Sequence, residues 1–199
     1  MRPLIYIALG WLLLAAVGAL GQTFGLTVML PATSAALVSH VVFGRELSLP
    51  SGLLVAVTLG YLEDMAQGTP IGLLSLAYGL SCCALVWSSR RLAVEGPIAR
   101  ALAAGVAAAL IDLVTFALLL GARRRLGVET EALVAGLLQA RWHALATVLA
   151  APGVFVLAEL ALGAWDRAFG RRPRPARRSP LQTRNAGPPL EESDPSDWT

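Results

Sequence analysis

Glu63, Asp64 and Asp112 are acidic side chains within apolar stretches of the sequence. Each needs a physical reason, because a charged side chain near the centre of a bilayer costs about 2.5 to 3.5 kcal/mol. Asp64 continues a series of small residues spaced four apart, and Asp112 likewise follows Ala104 and Ala108. Since residues four apart share one face of a helix, both series predict a helix-docking or partner-binding groove that carries a carboxylate. The first series comprises Gly52, Ala56, Gly60, Asp64, Gly68 and Gly72.

The pair Glu63 and Asp64 closes an apolar block just before a turn. Negative charge at a helix C-terminus opposes the macrodipole, so the stability of that helix does not explain the pair. Glu63 fits a solvated turn outside the membrane, whereas Asp64 lies in line with the small residues and is predicted to be an interior, partner-orienting group. Asp112 lies at similar depth by residue count, and the two aspartates would share a proton if they meet. Arg141 or His143 is the alternative partner of either acid.

The spacing of the candidate residues does not support catalysis. Intramembrane aspartyl proteases also place two Asp on different helices, but within Tyr-Asp and Gly-x-Gly-Asp motifs, whereas Asp64 follows Glu and Asp112 follows Ile. A rhomboid-like pair of Ser81 and His143 would be offset by roughly 15 Å at 1.5 Å of rise per residue, too far for a hydrogen bond. We therefore predict a protein that is not an enzyme.

The histidines and cysteines do not form a metal-binding pattern. His40 and His143 are far apart, and the adjacent Cys82 and Cys83 point about 100° apart on a helix. A metal site would need a cluster of ligands that these residues cannot supply. His40 is predicted to pack within the protein or at the membrane interface, and neither a metal nor a cofactor is expected.

The composition indicates an integral membrane protein. Hydrophobic residues make up 56% of the 199-residue chain and charged residues 15%, with a mean hydropathy of +0.64. A helix needs about 20 mostly apolar residues to cross a bilayer, and the chain contains six blocks of roughly that length. The predicted fold is all-α, a polytopic bundle of about six transmembrane helices. The predicted spans cover 4–21, 26–43, 49–65, 71–87, 98–120 and 143–164.

The distribution of charge suggests an orientation. The segment 169–199 is rich in Arg and Pro and too polar to fold, so it is predicted to be a disordered cytoplasmic tail after a transmembrane domain at 1–168. Its arginines favour both termini in the cytoplasm of a bacterial inner membrane. The arginines at 123–125 would then lie outside, which leaves a five-span or inverted arrangement open. The segment 129–139 is either an interfacial helix or an extension of the sixth span.

One stretch of the chain resembles a known family. In GYLEDMAQGTPIGLLSLAYGL, the residues Gly60, Asp64, Gly68, Pro70 and Gly72 resemble a Gly-x-x-x-Asp motif followed by a Gly-x-Pro-x-Gly turn. This pattern is similar to that of the bacterial rod-shape-determining protein MreD family, which also has this length and five or six spans. The resemblance implies a non-enzymatic subunit of the machinery for lateral peptidoglycan synthesis. Its partners would be the periplasmic scaffold MreC, the transpeptidase, the RodA polymerase and, indirectly, MreB filaments.

A second class of protein has the same size and span number. Substrate-binding subunits of energy-coupling-factor vitamin transporters are six-helix proteins that dock a coupling subunit through small-residue faces. Few side chains of this sequence could line a ligand pocket, and they offer few polar contacts for a tightly bound polar ligand. They are Tyr61, Asp64, Gln67, Asp112 and Trp142.

Overall fold

A computed structural model describes residues 2–24, 31–44, 47–89, 91, 94, 96–126 and 130–169; side chains between 123 and 139 are not described apart from Gly136. These residues form an all-helical protein with six helices, as the apolar blocks predicted. In chain order they are α1 (Arg2–Phe24), α2 (Thr33–Gly44), α3 (Leu49–Gln67), α4 (Leu73–Ser89), α5 (Pro97–Leu126) and α6 (Thr130–Ala168).

Three segments of these helices are long and apolar enough to cross a bilayer: Arg2–Phe24, Pro97–Ala122 and Ala140–Ala168. Helices α2 and α4 are apolar but shorter, with 12 and 17 residues. Part of the predicted second span, residues 26–30, lies outside the described residues. The fold is therefore compatible with a membrane protein, and the six spans stay a prediction.

The hydrophobic core contains buried side chains from all six helices. Tyr6 of α1, Leu37 of α2, Leu59 of α3 and Tyr78 of α4 are all almost inaccessible to solvent. By contrast, large apolar side chains such as Leu149 are exposed on the outer surface. An apolar exterior around a packed helical core is the arrangement that lipid requires.

Helix α6 is joined to the bundle through α2 and α5. The Thr147 hydroxyl accepts the backbone N–H of Ala32 at 2.9 Å and donates to a carbonyl in its own helix at 2.7 Å. His40 lies between aromatic rings, stacked on Phe155 with ring centroids 5.1 Å apart and tilted against Tyr6 at 6.3 Å. The prediction that His40 packs inside the protein agrees with this position.

The segment after residue 129 belongs to α6. The helix is continuous from Thr130 to Ala168, so the structure favours the extension of the sixth span over a separate interfacial helix. With 39 residues, α6 exceeds the roughly 20 needed for a bilayer.

The chain divides into two compact units, Met1–Ala164 and Trp165–Thr199. Within the second unit, the rings of Trp165 and Phe169 contact each other with centroids 4.1 Å apart. Residues 170–199, nearly all of the predicted tail, lie outside the described residues, so their predicted disorder stays a prediction.

Candidate functional site

The turn between α3 and α4 contains residues suited to its backbone conformation and hydrogen bonding. Gly68 ends α3 in the left-handed conformation, with φ of 67°, and Gly72 precedes α4 with φ of 95°. Both angles favour glycine, because a Cβ clashes with the backbone there. Pro70 contributes its carbonyl, which accepts the N–H of Leu73 at 3.1 Å and starts the new helix.

The carboxylate of Asp64 accepts hydrogen bonds from this turn and from the first residues of α4. Its Oδ1 accepts the Thr69 hydroxyl at 2.6 Å and the backbone N–H of Leu74 at 3.0 Å. Its Oδ2 accepts the backbone N–H of Gly72 at 3.0 Å and that of Ser75 at 3.3 Å, with the Ser75 hydroxyl at 3.5 Å. Asp64 is only 1% exposed, so these donors take the place of the water molecules that would hydrate an exposed carboxylate.

Asp64 therefore caps a helix other than its own. The first N–H groups of a helix have no partner within it, and the dipole there favours negative charge. An N-cap side chain normally comes from the residue before the helix, but that residue here is Gly72, which has none. Asp64 of α3 fills this place for α4, which explains an acid that the dipole of α3 opposes.

Gly60 allows the close approach that this capping needs. A Cβ at this position would lie 2.7 Å from the carbonyl oxygen of Leu74 and 2.8 Å from the Cα of Ser75, inside van der Waals contact with backbone. Further along the same face, Gly52 lies next to Val41 of α2, and Ala56 is fully buried. The small-residue face of α3 thus docks helices of the same chain. The second face is also internal, since Ala104 and Ala108 are buried.

A cavity of about 790 Å³ lies within the first compact unit, and both acids other than Asp64 line it. Glu63 is 7% exposed, so the solvated turn position expected for it is wrong. Its carboxyl faces the hydroxyls of Tyr78 and Ser34 and interacts electrostatically with Asp112. The acid on α3 that shares an environment with Asp112 is therefore Glu63, whereas Asp64 is held by α4.

Several polar atoms around the cavity lack partners among the described residues. Asp112 Oδ2 and Thr115 Oγ1 are inaccessible to solvent and accept or donate no hydrogen bond. Ser34 Oγ, beside Glu63, is equally buried and has no partner of acceptable geometry. Buried polar atoms are normally paired, so these three atoms are exceptions to the usual packing. Glu63 and Asp64 are adjacent on α3, so their side chains point about 100° apart. Their adjacency in the sequence was therefore a signal that the two acids face different surroundings.

The remaining candidates fall into two groups. Gln67 and His143 line the cavity, whereas Tyr61 and Trp142 are 44% and 40% exposed and do not. The Arg141 guanidinium lies over the neighbouring Trp142 ring, 5.5 Å from its centroid.

The described residues neither pair Ser81 with His143 nor form a metal site. Ser81 Oγ is buried without a hydrogen-bond partner, so it is not activated by His143. No group of three or more His, Cys, Asp or Glu in that part of the chain is placed to hold a metal ion.

The chain matches no protein-family model, and comparisons with curated proteins and with solved structures gave no significant match.

Proposed function

We propose that this chain is a non-enzymatic, multi-pass subunit of the bacterial cell-elongation complex, in the inner membrane with both termini in the cytoplasm. The proposal begins from the resemblance to the MreD family. The observation that carries it is that all five residues of the resembling motif act in one structural unit, the α3–α4 hairpin.

Each motif residue has a physical task in that hairpin. Gly60 lets the start of α4 approach α3, and Asp64 caps α4. Gly68 and Gly72 adopt positive φ, and the Pro70 carbonyl accepts the N–H of Leu73. A motif that specifies a rigid hairpin and holds no reacting group suits a protein that positions others.

We place the partners on the exposed apolar surface of the bundle. The small residues of α3 from Gly52 to Gly60 are buried within the chain, so partners would meet exposed apolar side chains such as Leu149, Val156 and Leu160 of α6. The proposed partners are an MreC-like scaffold, a peptidoglycan transpeptidase, a RodA-type polymerase and, indirectly, MreB-type filaments. Contacts in lipid depend on close packing, which a rigid bundle favours.

Crosslinking in native membranes tests this function. The tagged protein is purified after crosslinking, and the captured proteins are identified by mass spectrometry. We expect the MreC-like scaffold and peptidoglycan synthases with the native chain and with Ala15→Leu, since Ala15 is exposed. Gly60→Leu should lose them because it disrupts the hairpin. Absence of these partners from the native sample would refute the proposal.

One observation favours a second function, the substrate-binding subunit of an energy-coupling-factor transporter. The cavity of about 790 Å³ is lined by the last turns of α1 and α3, the first turns of α2 and α4, residues 108–119 of α5 and His143 of α6, so it is built toward one end of the bundle. A size of this order suits a small-molecule site. Recovery of an ATPase pair with a membrane coupling subunit in the same crosslinking experiment would support this alternative over the elongation complex.

A further inference from the structure

We infer that the cavity at this end of the bundle binds a small organic cation, a protonated amine carried on an apolar body. The inference rests on the cavity alone and holds whether the chain serves the elongation complex or a transporter. Its basis is the acidic and polar lining of the site together with its apolar walls.

At the residues that the structure describes, the lining of the cavity is acidic. Glu63 and Asp112 line it together, and His143 is the sole described lining side chain that can carry positive charge. Asp64 cannot contribute, because its carboxylate is already occupied by α4. Two carboxyls in an apolar setting repel each other and are costly to bury, so a bound cation would stabilise both.

The polar lining of the cavity offers acceptors to an ammonium group. Such a group has three N–H donors and no acceptor. Glu63 and Asp112 supply carboxyls and Thr115 a hydroxyl among the residues that line the cavity. Tyr78 lines it as well, and the hydroxyls of Tyr78 and Ser34 face the Glu63 carboxyl and can fix its orientation.

The other walls suit the apolar body of the ligand. Leu14 and Val17 of α1 line one side, and Leu73 of α4 with Leu119 of α5 lines another. The volume lies within the range of roughly 300 to 1,000 Å³ that holds small organic ligands. Apolar walls and the lack of a three-ligand cluster among the described residues favour an organic cation over a metal ion.

Calorimetric titration of the protein in lipid nanodiscs tests the site. The probe is octylammonium, with octanol as its uncharged match and empty nanodiscs to correct for partitioning into lipid. We expect one saturable site for octylammonium and none for octanol. Glu63→Gln should weaken binding by about tenfold or more, the effect of losing a charge-assisted hydrogen bond.

Two further variants keep the test decisive. Asp112→Asn should weaken binding similarly, and because Asp112 is less buried than Glu63 it serves if Glu63→Gln does not fold. Glu159→Gln removes an exposed carboxylate of α6 outside the cavity and should leave the affinity unchanged. Equal saturable binding of octanol, unchanged affinity in both cavity variants, binding of sodium or calcium ions alone, or no signal beyond empty nanodiscs would each overturn the proposal.

Discussion

Replacing Asp64 by Ala should destabilise the hairpin more than any other single change in the turn. The substitution leaves three backbone N–H groups at the start of α4, those of Leu74, Ser75 and the preceding Gly72, without their acceptor. Side-chain hydrogen bonds in membrane proteins average about 0.6 kcal/mol, and a buried donor left unpaired costs about 1 to 3 kcal/mol. Allowing for partial relaxation, we expect a loss of about 2 to 4 kcal/mol in the free energy of unfolding.

The protein contains its own reporter for this measurement. It has two cysteines, of which Cys83 is exposed and Cys82 in α4 is 1% exposed. In a Cys83→Ala background, Cys82 is the remaining thiol that a thiol-reactive dye can label. The rate of its labelling measures the opening of α4. When reclosing is faster than labelling, that rate follows the open population. A loss of about 2 to 4 kcal/mol then raises the labelling rate by roughly 30- to 700-fold.

Two milder variants grade the effect. Asp64→Asn keeps one oxygen but turns an N–H₂ toward α4, so we expect about half the loss. Thr69→Val removes only the hydroxyl that donates at 2.6 Å and should cost about 1 kcal/mol. The expected order of labelling rates is Asp64→Ala, then Asp64→Asn, then Thr69→Val, then the native residue. If Asp64→Ala were labelled no faster than Thr69→Val, the capping of α4 by Asp64 would be refuted.

Three other outcomes are expected. Gly60→Ala should cost about 1 to 3 kcal/mol by forcing backbone apart, whereas Gly121→Ala, with nothing within 4 Å of the new Cβ, should be neutral or stabilise by up to about 1 kcal/mol; equal thermal stability of the two variants would contradict the packing. Thr147→Val should cost about 1 to 3 kcal/mol, because the N–H of Ala32 loses its acceptor, and an unchanged denaturant midpoint would argue against this link. Cysteines introduced at Thr130 and Ser179 in a cysteine-free background should be labelled from opposite sides of the membrane, and labelling from one side would exclude six spans.

The helices followed from the sequence because their signal is local. Long apolar blocks bounded by Gly, Pro and Arg predicted α1, α5 and α6, and the Gly68 and Pro70 turn predicted the break between α3 and α4. The small-residue spacing also indicated close helix contact. Whether the contacting helix belongs to this chain or to a partner depends on tertiary packing, which the spacing of residues in one helix does not contain.

The roles of the two adjacent acids could not be read from the same pattern. The small-residue series predicted Asp64 to be an interior, partner-orienting group. It predicted Glu63 to lie in a solvated turn. In the fold, Asp64 is satisfied by the N–H groups of α4, while Glu63 faces the cavity with Asp112. The deciding fact is where α4 begins relative to the end of α3. That position depends on the positive φ angles of Gly68 and Gly72.

The capping of α4 by Asp64 bears on how the chain enters the membrane during synthesis. Helix α3 is not among the described helices that are long and apolar enough to cross a bilayer alone, and two acids stand near its end. The donors that satisfy Asp64 are translated only after α3, within the next 11 residues. In the six-span arrangement we therefore expect α3 to leave the insertion machinery together with α4, as a pair in which the Asp64 carboxylate is already hydrogen-bonded before it meets lipid.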